Sequence, residues 1–211
     1  MLDLSTVTLC AIATRDHEAA AYAFRKSQDG VAYRNEVVFS DKPELFVGPN
    51  LAKVRIPPFA EYPDVCIWWV TRFADLVLPL IGTHCLQTNW DGFVLNPGAW
   101  REDFLQWDFI GSPMHGHTTG NNGFCLCSRR FYEAMKGLNV APNAQSCFPS
   151  DQKVCIQYRA HMEAQGVRFA PVEVARQFAR ENDPPYGTES FGGHGKLFVA
   201  NVVQQNRYIL H

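Results

Sequence analysis

Residues 6–14 read TVTLCAIAT and residues 16–28 read DHEAAAYAFRKSQ. The first stretch is a short apolar run rich in Val, Ile and Thr, which predicts a buried strand. The second is built of strong helix formers with acids near its start, which predicts a helix. Working outward, NEVVFSD (35–41) reads as a second strand and AKVRIPPF (52–59) as a third, stopped by Pro57 and Pro58. Residues 62–81 carry apolar side chains at 65, 68, 69, 73, 76 and 77, a helical spacing that closes near Pro79. HCLQT (84–88) follows as a fourth strand. Strands alternating with helices predict an α/β fold, a Rossmann-like three-layer α/β/α sandwich around a mainly parallel central sheet. Such sheets bind ligands at the carboxyl ends of their strands. Thr14, Arg15, Asp41 and Asp91 all fall just past such ends.

The second half is less regular. A strand-like piece lies within FLQWDFIGSPM (104–114), a polar glycine-rich loop at 115–123, and a strand at FCLCS (124–128). Helices are expected at 129–138, at 150–166 with Ser150 as N-cap and Gly166 as stop, and at 172–181. VRFAP (167–171) reads as a short strand, and residues 182–195 as a long loop. Loops of that length in a compact domain are often functional.

With 211 residues, 46% of them hydrophobic and 19% charged, the chain has the makings of one globular domain spanning 1–211. Its net charge of −2 gives no general attraction to nucleic acid or to an anionic membrane. The seven cysteines include no CxxC pair and fall in apolar or helical patterns, which predicts buried thiols in a reducing compartment. The opening residues lack the basic segment of a secretory leader. No apolar run reaches the roughly 18 residues of a membrane span. A cytoplasmic location, in a bacterial or virus-infected cell, is the expectation.

Four stretches can carry chemistry. In NWDGF (89–93), Asp91 is either a turn residue, since Asp-Gly favours turns, or a ligand for a hard divalent cation. His194, set among glycines in SFGGHG (190–195), has little to pack on and can complete a metal site. TGNNGF (119–124) is either an Asn-Gly hairpin turn or a loop whose amides hold a sugar or phosphate. Asp151 either complements a helix dipole or serves as a general base. His115 and His117 form an H-x-H pair without a third ligand, and Trp90, Trp100 and Trp107 either line a ligand site or fill the core.

The order of these motifs is informative. NWDGFVLNPGAW, FLQWDFIGSP, GNNGFCLCSRR, the stretch from Ser150 to Glu181, and SFGGHG together resemble a small bacterial and viral group of GT-A-type glycosyltransferases, filed mostly as a domain of unknown function. Members of that group read like Q-W-D-G-F-V-L-N-P, D-Y-I-G-A-P, G-N-G-G-F-S-L-R-S and F-G-F-H-G. The resemblance spans roughly residues 83 to 195; residues 6–41 carry little motif. It implies a GT-A-like domain with a nucleotide-binding half (6–91) and an acceptor half (92–211). It further implies a uridine diphosphate sugar donor and a Mn²⁺ or Mg²⁺ ion. On this reading Asp91 and His194 hold the metal, and Asn89 stands where a D-x-D-like turn has its first acid. Asp151 is then the base of an inverting transfer, with Ser150 where the group has a preceding acid. Asn121, Asn122 and Gly123 lie at the donor sugar and acceptor, Asn89 and Trp90 at the donor site, and Thr14, Arg15 and Asp41 at the uridine and ribose. The implied acceptor is a saccharide. The alternatives are a hydroxymethylated DNA base, approached through Arg129, Arg130, Arg159 and Arg168, or a module that binds a nucleotide sugar without catalysis.

Overall fold

The computed structural model describes residues 1–114, 118–181, 189–196 and 198–200. In chain order the strands are β1 (Leu2–Ala13), β2 (Val31–Ser40), β3 (Leu51–Arg55), β4 (His84–Thr88), β5 (Gly92–Val94) and β6 (Phe109–Gly111). They continue with β7 (Pro113–Met114), β8 (Thr118–Thr119), β9 (Cys125–Ser128), β10 (Ala179–Arg180) and β11 (Gly192–His194). The helices are α1 (His17–Gln28), α2 (Tyr62–Trp68), α3 (Ala74–Val77), α4 (Arg129–Lys136), α5 (Ala144–Cys147), α6 (Ser150–Gln152), α7 (Arg159–Ala164) and α8 (Val172–Phe178). Wide π-helical turns join α2 to α3 at Trp69–Phe73, and lie between α6 and α7 at Lys153–Gln157.

Six strands form the central sheet in the order β3-β2-β1-β4-β9-β6. The pairings β3–β2, β2–β1 and β1–β4 are parallel, whereas β9 runs antiparallel to both β4 and β6. The sheet is therefore mixed, and the expected mainly parallel pairing holds only from β3 to β4. The reason is local: β9 enters from the 119–124 segment instead of through a crossover helix, so it pairs head to tail with β4.

Strand alternation sends successive side chains to two cores, one on each face. Cys10, Ile12, Val37, Phe39, Cys85, Phe109, Cys125 and Cys127 join one core with Trp69, Phe73, Phe131 and Met162 from the helices. Leu9, Ala11, Val38, Leu86, Ile110 and Leu126 join the other with Phe24 of α1 and Phe178 of α8. Helices thus cover both faces. A fully buried Phe such as Phe39, Phe73 or Phe124 contributes roughly 1.5–3 kcal/mol through removal from water. All seven cysteines are free and buried, as expected of thiols that pack as small hydrophobes. No helix among the described residues is long and apolar enough to cross a membrane.

Several sequence expectations change. Ser150 is not an N-cap: Pro149 takes that place and Ser150 is the first helical residue. The predicted helix 150–166 is interrupted by its π turn, although Gly166, at φ 82°, does stop it. Residues 167–171 supply only an isolated bridge from Phe169 to Phe109 instead of a strand. The helix expected over 172–181 ends at Phe178, because Ala179 and Arg180 pair with β11. β11 itself lies in what reads as loop. His115 and His117 lie outside the described residues.

Candidate functional site

β1 and β4 are neighbours, with Ala11 opposite Thr88, so their carboxyl ends open at one place. Beyond β1 the chain passes through Thr14 and Arg15 to Asp16, a non-glycine residue in the left-handed region at φ 47°. Beyond β4 it turns tightly, the Gly92 amide donating to the Asn89 carbonyl at 3.2 Å. That turn leads into β5, which pairs antiparallel with β11 so that Gly92 lies opposite His194. The ladder thereby brings together two residues a hundred positions apart. His194 Nε2 stands 3.3 Å from Asp91 Oδ1. The Gly195 amide, at φ 102°, donates to the Asp91 carbonyl at 2.9 Å and fixes the chain just past the histidine. A Cβ at position 123 would sit 2.0 Å from His194 Nε2, so Gly123 makes room for the imidazole.

On the far side of the histidine stands an unforeseen carboxylate. Glu181 Oε1 lies 3.7 Å from His194 Nδ1. Glu181 Oε2 accepts from the Asn121 amide at 2.9 Å and from Ser112 Oγ at 3.4 Å. Asn121 in turn accepts the Gly123 amide at 2.7 Å. Burial raises the Glu181 carboxyl, partly offset by His194. For His194, desolvation works against the charged form. The hydrogen bond and charge of Asp91 then outweigh it, with Glu181 and Asp151 adding to the pull, and the imidazole is raised above its usual value.

The buried Nδ1 of His194 has no hydrogen-bond partner. Among the described residues, no group of three or more His, Cys, Asp or Glu is disposed to hold a metal. Asp91 and His194 do fit two adjacent positions of a hard divalent ion, whose neighbouring ligands stand roughly 3 Å apart at bond lengths of about 2.1 Å. One carboxylate oxygen and one imidazole nitrogen leave the other positions to ligand oxygens or water.

These groups open onto a cleft of about 690 Å³ lined by Thr14, Arg15, Asn89, Trp90, Asp91 and His194, among others. Its floor is a hydrogen-bonded chain. Trp69 Nε1 donates to Gln87 Oε1 at 3.0 Å, and Gln87 Nε2 donates to the Asn122 carbonyl at 3.1 Å. Asn122 Nδ2 donates to Ser150 Oγ at 3.0 Å. Each link crosses between elements, so β4, the 119–124 segment and α6 are locked around the site. Tyr62 and Cys66 of α2 complete that wall.

With this geometry in view, the family can be stated. The chain belongs to the family described as Protein of unknown function (DUF5672), whose model matches residues 80–194. No curated protein matches the chain. The DUF5672 span runs from just before β4 through His194, so it holds Asp91, the 119–124 segment, Asp151, Glu181 and the histidine. Thr14, Arg15 and Asp41 lie outside it.

Within this DUF5672 protein, seven expected site residues line this cleft: Thr14, Arg15, Asn89, Trp90, Asp91, Asn122 and His194. Asn121 and Gly123 stand behind it, ordering Glu181 and His194. Asp151 is half-buried at the start of α6, its Oδ1 accepting from the Gln152 amide at 2.8 Å, and its charge is felt by His194, Glu181 and Tyr62. Asp41 does not line the cleft; its Oδ1 lies 2.7 Å from His17 Nε2. Glu181, Gln87, Trp69 and Lys196 were not among the expected residues. Gln87 sits in a strand pattern that reads as core, and Glu181 ends a segment that reads as helix. The four arginines of the DNA alternative are engaged locally. Arg129 donates to the Leu78 and Ile81 carbonyls, Arg130 and Arg168 face Asp108, and Arg159 pairs with Glu163 beneath Phe169. Trp100 packs on Phe104 and Phe191 and serves the core.

Proposed function

We propose that this protein is a GT-A-like glycosyltransferase that moves a sugar from a nucleoside diphosphate sugar, uridine-linked, to an acceptor hydroxyl. The observation that carries the reading is a cleft at the ends of β1 and β4, which collects the cation Arg15, the Asp91–His194 pair and the polar Asn122. Free cations and a metal-competent pair beside neutral amide groups suit a ligand with a diphosphate at one end and a sugar at the other.

Asp91 and His194 would hold a Mn²⁺ or Mg²⁺ ion, which supplies positive charge to the departing diphosphate. Gly123 leaves room for the imidazole, and Glu181 sets a carboxylate 3.7 Å from its Nδ1. Asn122, its amide nitrogen engaged by Ser150, presents its oxygen as an acceptor for a sugar hydroxyl. Asp151 takes the proton of the acceptor hydroxyl as that oxygen bonds to the anomeric carbon. The bond to the diphosphate oxygen breaks with its electron pair leaving on the nucleotide, and the anomeric configuration inverts. A saccharide is the acceptor favoured here, since the net charge is −2 and Arg129, Arg130, Arg159 and Arg168 each face a main-chain carbonyl or a carboxylate. The Asn89 and Ser150 positions, where acids are absent, also suit a binding module without catalysis. Slow release of free nucleotide from the donor without acceptor separates enzyme from module.

A thermal-shift screen of nucleotide sugars, each with and without Mn²⁺, tests the proposal. Ligand binding raises the melting point as concentration exceeds the dissociation constant. One donor, a uridine diphosphate sugar, should stabilise the protein in a Mn²⁺-dependent manner. A screen in which no nucleotide sugar shifts the melting point rejects the proposal.

A further inference from the structure

Two cations line the cleft, Arg15 and Lys196. Among the described residues neither has an ion-pair or hydrogen-bonding partner. The two come from distant segments, Arg15 just past β1 and Lys196 just past β11. Lys196 is not adrift on the surface of the cleft. It follows Gly195, whose left-handed backbone and amide bond to the Asp91 carbonyl tie that segment to the Asp91 turn.

The charge balance of the site gives these cations a task. The Asn89–Asp91 turn brings one carboxylate where a D-x-D-like turn brings two, and the second acid near His194, Glu181, is engaged by Asn121 and Ser112. A cation bound by Asp91 and His194 has few protein ligands, so a diphosphate beside it needs further positive charge from the chain. When a nucleoside diphosphate leaves a sugar it also gains one negative charge, and a preorganised cation next to it favours that change over the ground state.

We propose that Lys196 and Arg15 form a phosphate clamp in which Lys196, anchored beside Asp91, binds the diphosphate and neutralises the charge that develops on departure. Arg15 thereby serves the phosphates and not the ribose. The clamp rests on the donor reading above, and the experiment separates the two.

Calorimetry with Mg²⁺ on the full chain compares uridine diphosphate, inorganic pyrophosphate and uridine. The proteins are the wild type, Lys196→Met and Lys196→Arg, and melting curves establish that the exposed substitution leaves the fold intact. Loss of Lys196 should weaken uridine diphosphate and pyrophosphate by about tenfold, as for a charge-assisted contact. It should leave uridine unchanged, and arginine should restore most of the loss. Uridine diphosphate bound equally well by wild type and Lys196→Met overturns the clamp while the donor reading stands. Pyrophosphate bound through Lys196 without any binding of uridine diphosphate keeps the clamp and discards the nucleotide donor. No binding of either phosphate by the wild type overturns both.

Discussion

Asp91 sits in the turn that one reading of its sequence context gives, and metal binding, the other reading, is the proposal made for it. The Gly92 amide closes a tight turn on Asn89, as an Asp-Gly pair favours, and the same turn aims the Asp91 carboxylate at His194. At Asp151 the two readings divide differently. Its Oδ1 accepts the next amide in the chain, a helix-start role, while its charge reaches His194 and Glu181 across the site. If Asp151 accepts the acceptor's proton, Asp151→Asn should lower turnover by about 10²–10⁴ and leave nucleoside diphosphate binding intact. An Asn variant with near-normal turnover would instead leave Asp151 as helix-start chemistry alone. Glu181 was hidden from sequence reading for a physical reason. Residues 172–181 show a helical pattern, yet the chain leaves the helix at Ala179 to pair with β11, and that exit delivers the carboxylate to His194.

At the scale of elements, β1, α1, β2 and β4 were legible because each buries a run or face of apolar residues, and half-buried β3 because Pro57 and Pro58 mark its end. β5, β10 and β11 have two or three residues each and are held by tertiary pairing, so no local pattern announces them. They are also the strands that build the site, which is why Asp91 and His194 were named without the ladder that joins them. β4 carries a second polar feature. His84 at its start is buried, with Nε2 3.2 Å from the Trp107 carbonyl and Nδ1 3.1 Å from Thr83 Oγ1. Burial lowers its imidazole below the usual value, offset in part by Trp107 and Asp108. A folded-state value below the unfolded one means that the unfolded chain binds the proton more readily. His84 therefore contributes stability above the ordinary imidazole range, and that contribution is lost as pH falls through its lowered folded value. Melting temperature should drop across this acid range more steeply for wild type than for His84→Gln. Parallel acid limbs for the two proteins would show that His84 does not govern it.

Over the whole molecule, the cleft lies where the parallel half of the central sheet meets the small β10-β11-β5 sheet. The first supplies Thr14, Arg15 and Gln87; the second places His194 and, beyond it, Lys196. The DUF5672 match, residues 80–194, covers Gln87, the Asp91 turn and His194 but neither β1 nor Lys196. A site assembled from both parts is the reason the whole chain, and not the matched span alone, is the unit to assay. On the proposed function, Asp91 couples a divalent cation to nucleotide binding in this cleft. Calorimetric titration of uridine diphosphate, with and without Mn²⁺, into wild type and Asp91→Ala tests it most directly. Binding to the wild type should depend on Mn²⁺ and be abolished in Asp91→Ala; binding indifferent to Mn²⁺ and unchanged in Asp91→Ala would show that Asp91 holds no metal for the nucleotide.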